Sequence, residues 1–470
     1  MAKAGYGVTV LEKHATPGGR ARQLSENGFH FDMGPSWYWM PDVFERYFAS
    51  FGRNVGDYYS LQRLDPSYRI FWPDGVTDVP SGIEALKKLF ESWEKGAGDR
   101  LDKFLGEAAF KYKIGMQKMV YQPGLSIAEF ANVKLLRGLM NMDVFTSVSK
   151  HIAKHFKHDK IRQLLEFPVL FLGALPENTP ALYTLMNYAD MEGGTWYPRG
   201  GMYSIIKGMY SLAEELGVKF IFNQEVKGFT FDNGKIKTVL TSANTFNADT
   251  VIASADYHFV EQELLPHHFR TYTTNYWNRK EMAPSCLLYY VGINKKIKNV
   301  VHHNLFFDTS FSRHSKEIYE SKVWPEDPLF YVSVSSKSDN SVAPAGNENL
   351  FFLVPVAAGL SGDNEALREK YFQNILMRFE KHTGEKIAEN IVYKKSFACS
   401  DFVKEYHSFR GNAYGLANTL RQTAYLKPKC KSSRVKNLYY TGQLTVPGPG
   451  VPPSLISGEI VAKVACSNSN

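Results

Sequence analysis

Cysteine is scarce in this sequence. Its 470 residues include four cysteines, Cys286, Cys399, Cys430 and Cys466, and no two of them stand at a C-x-x-C spacing. So few cysteines exclude a disulfide-stabilised secreted scaffold, and their spacing excludes the common zinc and redox motifs. We therefore expect a cytoplasmic protein whose core forms without covalent cross-links.

Long apolar runs are also missing. The longest strongly apolar stretch, residues 164–175, contains Glu166 and Pro168 and falls short of the roughly 20 residues that a membrane span needs. No apolar segment with a small-residue cleavage site follows Met1, so the start does not resemble a secretory signal. The sequence predicts no transmembrane helix.

Charge of one sign is not concentrated in any tract. The chain has 55 Lys and Arg against 47 Asp and Glu, a net charge of +8, and the basic residues are spread along its length. A dedicated nucleic-acid binder normally gathers them on one face or in one tract. No nucleic-acid partner is therefore expected.

Motifs for metal, hydrolase or kinase chemistry are weak or absent. His151, His155 and His158 recur at helical spacing, but no acid beyond Asp159 completes a ligand set, which favours a solvated basic face and no metal. Two adjacent pairs cannot both point inward from one element: His267-His268 and His302-His303. The sequence has no Gly-x-Ser-x-Gly elbow and no phosphate-loop lysine.

The first residues carry the clearest positive signal. Residues 1–4 resemble the last turn of a helix closed by Gly5, residues 8–11 form a β-branched apolar run, and Glu12 follows them. This order matches the second half of a dinucleotide-binding βαβ unit, in which the acid binds ribose hydroxyls. The first strand and its glycine turn are then expected in roughly 20 residues upstream of Met1. The alternative is an ordinary core strand with Glu12 at its solvated end.

The rest of the pattern predicts an α/β protein with interleaved domains. Residues 82–130 and 134–175 are mostly helical in pattern, and a β-meander is predicted over residues 218–253 with a hairpin turn at 232–234. A second sheet is predicted from five further strands and one helix: 285–293, 305–307, 329–335, 350–356 and 391–397, with the helix at 364–382.

Three glycine-rich segments offer a site. Pro17-Gly18-Gly19-Arg20 follows the first strand, Gly34-Pro35-Ser36 follows soon after, and residues 441–458 form a loop dense in glycine and proline between an apolar strand and a helix start. Glycines let the backbone approach an anion, arginine suits a pyrophosphate, and the free amides of a helix start are able to face a phosphate or flavin.

Taken in order, these segments resemble the bacterial phytoene desaturase family, FAD-dependent carotenoid desaturases within the flavin amine oxidase-like group. The resemblance also includes Trp196-Tyr197-Pro198-Arg199-Gly200-Gly201-Met202 and extends over essentially the whole chain. It implies a Rossmann-like FAD-binding domain interleaved with a mixed-sheet substrate domain and a helical membrane-contacting part. The predicted ranges are 1–78, 196–256 and 424–470 for the FAD-binding domain, 79–195 for the helical part and 257–423 for the substrate domain.

The resemblance also implies a role for each matching residue. Glu12 would bind the adenosine ribose; Gly18, Gly19 and Arg20 would lie along the pyrophosphate and ribityl chain; Gly34, Pro35 and Ser36 would lie near the isoalloxazine. The backbone of Val226 would meet adenine. Gly442 and Gln443 would contact the pyrophosphate and ribityl end, and Pro447, Gly448 and Val451 would line the ring. Val446 stands where many relatives carry histidine.

The implied activity is FAD-dependent desaturation of a long polyene, phytoene to lycopene in the first instance. Alternatives are a later-acting hydroxycarotenoid or C30 desaturase, a retinol saturase-like or amine oxidase-like flavoprotein, and an isoprenoid carrier without turnover. The sequence does not identify the base: the flavin, a water or Asp401 are all candidates to accept the proton.

A carotene substrate is drawn from the bilayer, so we expect peripheral contact with the inner face of the cell membrane. The candidate surface is an amphipathic stretch with a basic flank. Its apolar residues are Val133, Leu135, Leu136, Leu139, Met140, Val144 and Phe145, and its basic residues are Lys134, Arg137, Lys150, Lys154 and Lys157. A core-facing amphipathic helix is the alternative.

Overall fold

The computed structural model describes residues 1–126, 129, 146–170 and 173–469. Its strands, in chain order β1 to β18, are Thr9–Leu11, Gln23–Glu26, Phe29–Asp32, Leu61–Arg63, Tyr68–Trp72, Gly75–Val79, Trp196–Pro198, Lys219–Ile221, Val226–Asp232, Lys235–Thr241, Thr245–Asn247, Val251–Ala253, Ser285–Ile293, His303–Phe306, Phe330–Ser333, Glu348–Val356, Ile391–Phe397 and Leu438–Tyr440.

Helices cover these sheets and fill the region between β6 and β7. The longer α-helices are Pro41–Ala49, Ile83–Trp93, Ala97–Ile114, Val148–His155, Asp159–Leu170, Leu185–Met191, Tyr203–Glu215, Glu365–Thr383, Cys399–Tyr406 and Val451–Ser469. Shorter ones are Tyr257–Phe259, Thr274–Asn278 and Phe311–Lys316. No helix among the described residues is both long and apolar enough to span a membrane.

Two parallel strand pairs carry the predicted cofactor domain. β1 pairs with β8, and β12 pairs with β18, each over three residues. The helical turn Ala2–Ala4 ends at Gly5 with φ 86°, as the sequence predicts, because a left-handed residue closes a helix most easily as glycine. Parallel strands align their carboxyl ends, so Glu12 and Thr441 each follow a strand at such an edge.

The predicted β-meander is only partly correct. β9, β10 and β11 form an antiparallel sheet, and Asn233 and Gly234 adopt positive φ in the predicted hairpin turn. The flanking strands β8 and β12 instead pair in parallel with β1 and β18. An alternating pattern predicts that a segment is a strand. Which strand it pairs with depends on how the chain connects the two strands, and the pattern does not record that connection.

The second sheet has seven strands in the order β17-β13-β16-β15-β14-β5-β6. One face packs on the helix Glu365–Thr383 and the other on the helices between β6 and β7. β5 and β6 belong to this sheet, because β5 pairs in parallel with β14. Residues 68–78, which the prediction assigns to the cofactor-domain range 1–78, therefore pair within the second sheet.

Because both faces of the second sheet are covered, the expectation that His302 and His303 cannot both point inward is wrong. His302 and His303, at the start of β14, are both buried, at 4% and 0% exposure. Their side chains point to opposite faces of the sheet, and both faces are covered. His303 stacks on Trp37, with ring centroids 4.1 Å apart, and His302 lies against Tyr197.

The ranges 82–130 and 134–175, predicted to be mostly helical, contain the helices Ile83–Trp93, Ala97–Ile114, Val148–His155 and Asp159–Leu170 where they are described. Leu164 and Leu165, in the longest apolar stretch, are fully buried in the core shared with the second sheet. The proposed membrane-contacting residues 133–145 lie outside the described residues. Lys150, Lys154 and Lys157 lie on or beside the helix Val148–His155.

Candidate active site

The site begins at the carboxyl end of β1. The backbone of Glu12 is fixed by two hydrogen bonds, from its amide to the Ile221 carbonyl (3.0 Å) and from the Gln224 amide to its carbonyl (2.8 Å). Its Oε1 accepts from the His14 amide at 2.9 Å. This holds a partly buried carboxylate at the strand end, where it is placed to accept from a diol.

Val226 lies close to this end of the site along the chain. It begins β9, two residues after Gln224, and pairs with Thr241. Because Gln224 hydrogen-bonds to Glu12, the start of β9 is tied to the end of β1. This agrees with, but does not test, the predicted adenine contact.

The Pro-Gly-Gly-Arg segment brings a buried cation into the site. Gly18 and Gly19 have φ 116° and 53°, and they lead into a 3₁₀ turn that ends at Ala21. Gly34 packs so closely that a Cβ there would lie 2.7 Å from the Arg20 carbonyl oxygen. Only glycine permits this approach.

Arg20 is a buried guanidinium without a direct carboxylate partner in the described chain. Its Nη1 donates to the carbonyls of Asn412 (2.7 Å) and Ala413 (3.3 Å). Burial lowers the pKa of Arg20, and the nearby Asp256 opposes that effect. The Arg20 guanidinium also lies over the rings of Phe402 and Tyr406. A largely desolvated cation with carbonyl and aromatic neighbours but no paired carboxylate among the described residues fits a bound anion such as a pyrophosphate.

The C-terminal loop completes this part of the site. The Gln443 amide lies 3.0 Å from Asn412 Oδ1, and with its oxygen turned to Arg20 it accepts from Nη2 at 3.1 Å. The neighbouring Gly442 has φ 107°, and among the described residues other than its two chain neighbours no atom lies within 4 Å of the position that a Cβ would take. Arg20 and Gln443, each predicted separately to contact the cofactor, thus lie next to each other, beside an open cradle that fits a cofactor.

The far end of the loop is formed by restricted backbone. A cis bond joins Val446 to Pro447, and Gly448 and Gly450 adopt positive φ. Val451 begins the last helix. The prediction of several free amides at this helix start is wrong, because Pro452 and Pro453 carry no N–H and the Ser454 amide donates to the Gly450 carbonyl.

Ser36 lies toward the second sheet. With Asp32, Tyr197 and His302 it lines a cavity of about 20 Å³, close to the size of one water. Burial raises the pKa of Asp32 to about 6. The predicted ring contacts of Pro35 and Ser36 remain predictions.

Asp401 does not lie free to accept a proton. Its Oδ2 accepts from the Ala398 amide at the start of the helix Cys399–Tyr406 and pairs with Arg368 at 2.7 Å. The first contact caps the helix Cys399–Tyr406, and the second ties it to Arg368 on the helix Glu365–Thr383. A structural carboxylate is the better interpretation.

Three residues at the site were missed by sequence reasoning. Asn412 joins Arg20 to Gln443, and Asp256 is buried with its pKa raised to about 6 by desolvation. Lys427 is buried beside Gly448. Of these three, only Asp256 has a sequence feature that could have identified it, because it is an acid shortly after strand β12. Asn412 and Lys427 lie in segments without a motif.

The histidines of the helical part acquire an acidic neighbour. Glu107 Oε2 lies 3.3 Å from His151 Nε2 and 3.8 Å from His155 Nε2. The ammonium of Lys111 also lies 3.2 Å from His151 Nε2, so this cluster already contains a cation. His158 stacks on Trp93 instead.

Comparison with known proteins identifies the family of the chain. The family model for flavin containing amine oxidoreductase matches residues 1–466. A carotenoid 3,4-desaturase of Haloarcula japonica is 42% identical over 98% of this chain and 94% of its own length. A zeta-carotene-forming phytoene desaturase of Myxococcus xanthus is 30% identical over 98% and 90%.

Solved structures show the same fold at low identity. An oxidoreductase from Methanosarcina mazei superposes with a TM-score of 0.61 at 16% identity, over 98% of this chain and 95% of its own. Putrescine oxidase gives 0.58 at 13%, over 99% and 94%. The chain belongs to the flavin containing amine oxidoreductases and, within them, to the carotenoid desaturases, and is an oxidoreductase with FAD as its cofactor.

Proposed function

We propose that this protein desaturates the bond between carbons 3 and 4 of a carotenoid. The observation that carries the proposal is the 42% identity to a carotenoid 3,4-desaturase over nearly the whole of both chains, against 30% for phytoene and diapophytoene desaturases. Phytoene to lycopene, the step first implied by the resemblance, is the competing proposal.

The residues of the site support such chemistry. No heteroatom activates the bond to be desaturated, and bound FAD supplies an acceptor for hydride. Glu12 would hold the ribose hydroxyls, Arg20 and Gln443 the pyrophosphate and ribityl chain, and the Gly442 cradle would leave room for them. The loop 447–451 would lie along the ring.

An aromatic wall beside Ser36 suits an apolar polyene. Trp37 contacts Tyr68, Phe167 and Tyr331, with ring centroids 5.4 to 6.1 Å apart. Such rings present large apolar faces. The wall lies where the predicted cofactor domain meets the second sheet, so a substrate there would reach both.

The protein would collect its substrate at the inner face of the cell membrane as a peripheral protein. Leu125 and Leu426 are 38% and 50% exposed, and the two segments that carry them are joined by a hydrogen bond from Lys429 Nζ to the Gly124 carbonyl (2.6 Å). Exposed leucines beside a lysine suit an interfacial contact. The amphipathic stretch 133–145 follows the first of these segments.

The test is to offer single carotenoids in vesicles to the FAD-loaded protein. We expect lycopene, offered as an already conjugated polyene, to lose a pair of hydrogens and absorb at longer wavelength, and phytoene to stay unchanged. Conversion of phytoene to lycopene would establish the competing proposal instead. Turnover of neither would overturn both.

A further inference from the structure

Lys427 is the most deeply buried lysine near the C-terminal loop. Its side chain is 2% exposed, and its Nζ donates to Asn418 Oδ1 at 2.9 Å. Among the described residues no carboxylate lies within 4.0 Å of it. A buried ammonium without a counter-ion is costly, which favours the neutral amine.

Its position follows from two chain segments that run side by side. In the segment 412–418, Asn412 lies against Gln443, and a Cβ at Gly415 would lie 2.7 Å from the Gln443 carbonyl oxygen. At the other end of the segment, Asn418 and Lys427 Nζ lie 3.3 Å and 3.2 Å from the Cβ position of Gly448. Lys427 thus lies at the opposite end of the site from Glu12.

The surroundings of Lys427 lower the pKa of its amine. Burial, followed by repulsion from Lys280, lowers the pKa of its amine to about 7. Asn418 on the neighbouring segment is uncharged, and the loop 446–450 packed against the amine contributes only valine, proline and glycine. Near neutral pH much of the amine is therefore unprotonated and able to accept a proton.

We propose that Lys427 is the group that takes up a proton when the bound FAD is reduced. The proposal rests on the placement of the cofactor ring at the loop 447–451, given under the proposed function. In desaturation one hydrogen leaves the substrate with its bonding electron pair as hydride to FAD, and the other leaves as a proton. The lone pair of the Lys427 amine binds that proton, directly or through water, while the carbon–carbon double bond forms. The resulting ammonium, held by Asn418 and next to Gly448, would offset the negative charge that bound FAD gains on reduction.

The experiment measures the midpoint potential of the holoenzyme against pH, with redox dyes and no carotenoid. Reduction of FAD by a hydride equivalent takes up one proton per two electrons. Uptake of a second proton by Lys427 doubles the slope of the midpoint potential against pH above about pH 7.5. We expect two protons per two electrons in the wild type and one in Lys427→Met. The matched control Lys431→Met, which removes an exposed ammonium that binds Asn468, should keep two. One proton in the wild type, or two in Lys427→Met, would overturn the proposal.

A second measurement needs neither FAD nor a folded variant. In the FAD-free wild type with ¹³C-labelled lysine, one lysine resonance should titrate near pH 7. The absence of any lysine that titrates below about pH 9 would overturn the proposal. Neither readout depends on the identity of the carotenoid, and a wrong cofactor placement shows separately, as unchanged FAD affinity in the Glu12 and Gly442 variants described below.

Discussion

Single residues define the two ends of the cofactor site, and glycine is required at the loop end. Gly442 combines a φ of 107° with empty space where a side chain would project. A methyl group there would strain the backbone and enter the space proposed for the cofactor.

We expect Gly442→Ala to weaken FAD binding by about tenfold or more, equivalent to about 1.4 kcal/mol. Gly52→Ala is the matched control, because Gly52 also has a positive φ (72°) and open space around it but lies after the helix Pro41–Ala49. Both variants should lose some thermal stability, and only Gly442→Ala should lose FAD affinity, measured by quenching of flavin fluorescence. Equal affinities in the two variants would contradict the placement of the cradle.

At the other end, the prediction concerns the carboxylate of Glu12. Glu12→Gln keeps the size of the side chain and removes the charge that a ribose diol would bind, at a cost of about 1–3 kcal/mol. FAD affinity should therefore fall roughly tenfold to a hundredfold. Glu26→Gln, at the exposed end of β2, should leave it unchanged. If Glu12→Gln binds FAD normally, the residue is only the end of a strand.

At the scale of elements, a buried acid joins the helical part to the second sheet. Asp190, on the helix Leu185–Met191, accepts from the Tyr68 hydroxyl of β5 (2.8 Å) and from Thr195 (3.1 Å). Burial raises the pKa of Asp190 to about 7, well above its ordinary value of 3.8. The folded protein therefore holds a proton that the unfolded chain releases between these two values.

This linkage predicts a pH-dependent stability. A raised carboxyl pKa stabilises the fold most below the unfolded value, and the contribution is lost as pH rises through about 7. The melting temperature of the wild type should fall between about pH 5 and about pH 8. The melting temperature of Asp190→Asn should fall less over the same range. Asp99→Asn, an exposed acid in the first turn of Ala97–Ile114, should keep the wild-type dependence. A wild-type slope in Asp190→Asn would show that this carboxyl titrates normally.

At the scale of the whole molecule, the open question is where it meets its substrate. We expect the protein to float with anionic vesicles at low salt. The triple variant Leu136→Asp, Leu139→Asp, Met140→Asp should float less, because it places charge on the proposed apolar face. These three residues lie outside the described residues, so the prediction comes from their spacing alone.

The control places the same number of aspartates elsewhere on the surface. Val323, Met377 and Val392 are 46%, 62% and 49% exposed, and their change to aspartate should leave flotation intact. A wild-type protein that stays at the bottom of the gradient would argue against membrane contact, and an equal loss in both triple variants would argue against this particular face.

The site shows which parts of such a molecule can be inferred from sequence. Glu12, Gly18, Gly19 and Arg20 are predicted site residues because strand ends and glycine turns follow local rules of conformation and chemistry, and Gly442 is predicted from the family resemblance. Lys427 and Asn412 follow no local rule. They matter because the segment 412–418 folds alongside the C-terminal loop, which is a contact between distant parts of the chain.

The same division holds for the fold. Local sequence pattern predicts the strands β13, β16 and β17 almost to the residue, the hairpin turn at Asn233 and the helix Glu365–Thr383, because burial, turn chemistry and capping act within one segment. Three features follow from contacts between distant segments instead: β8 and β12 pair in parallel, β5 joins the second sheet, and His302 and His303 are both buried. Strand pairing and double coverage arise from long-range packing, which the periodicity of a single segment does not record.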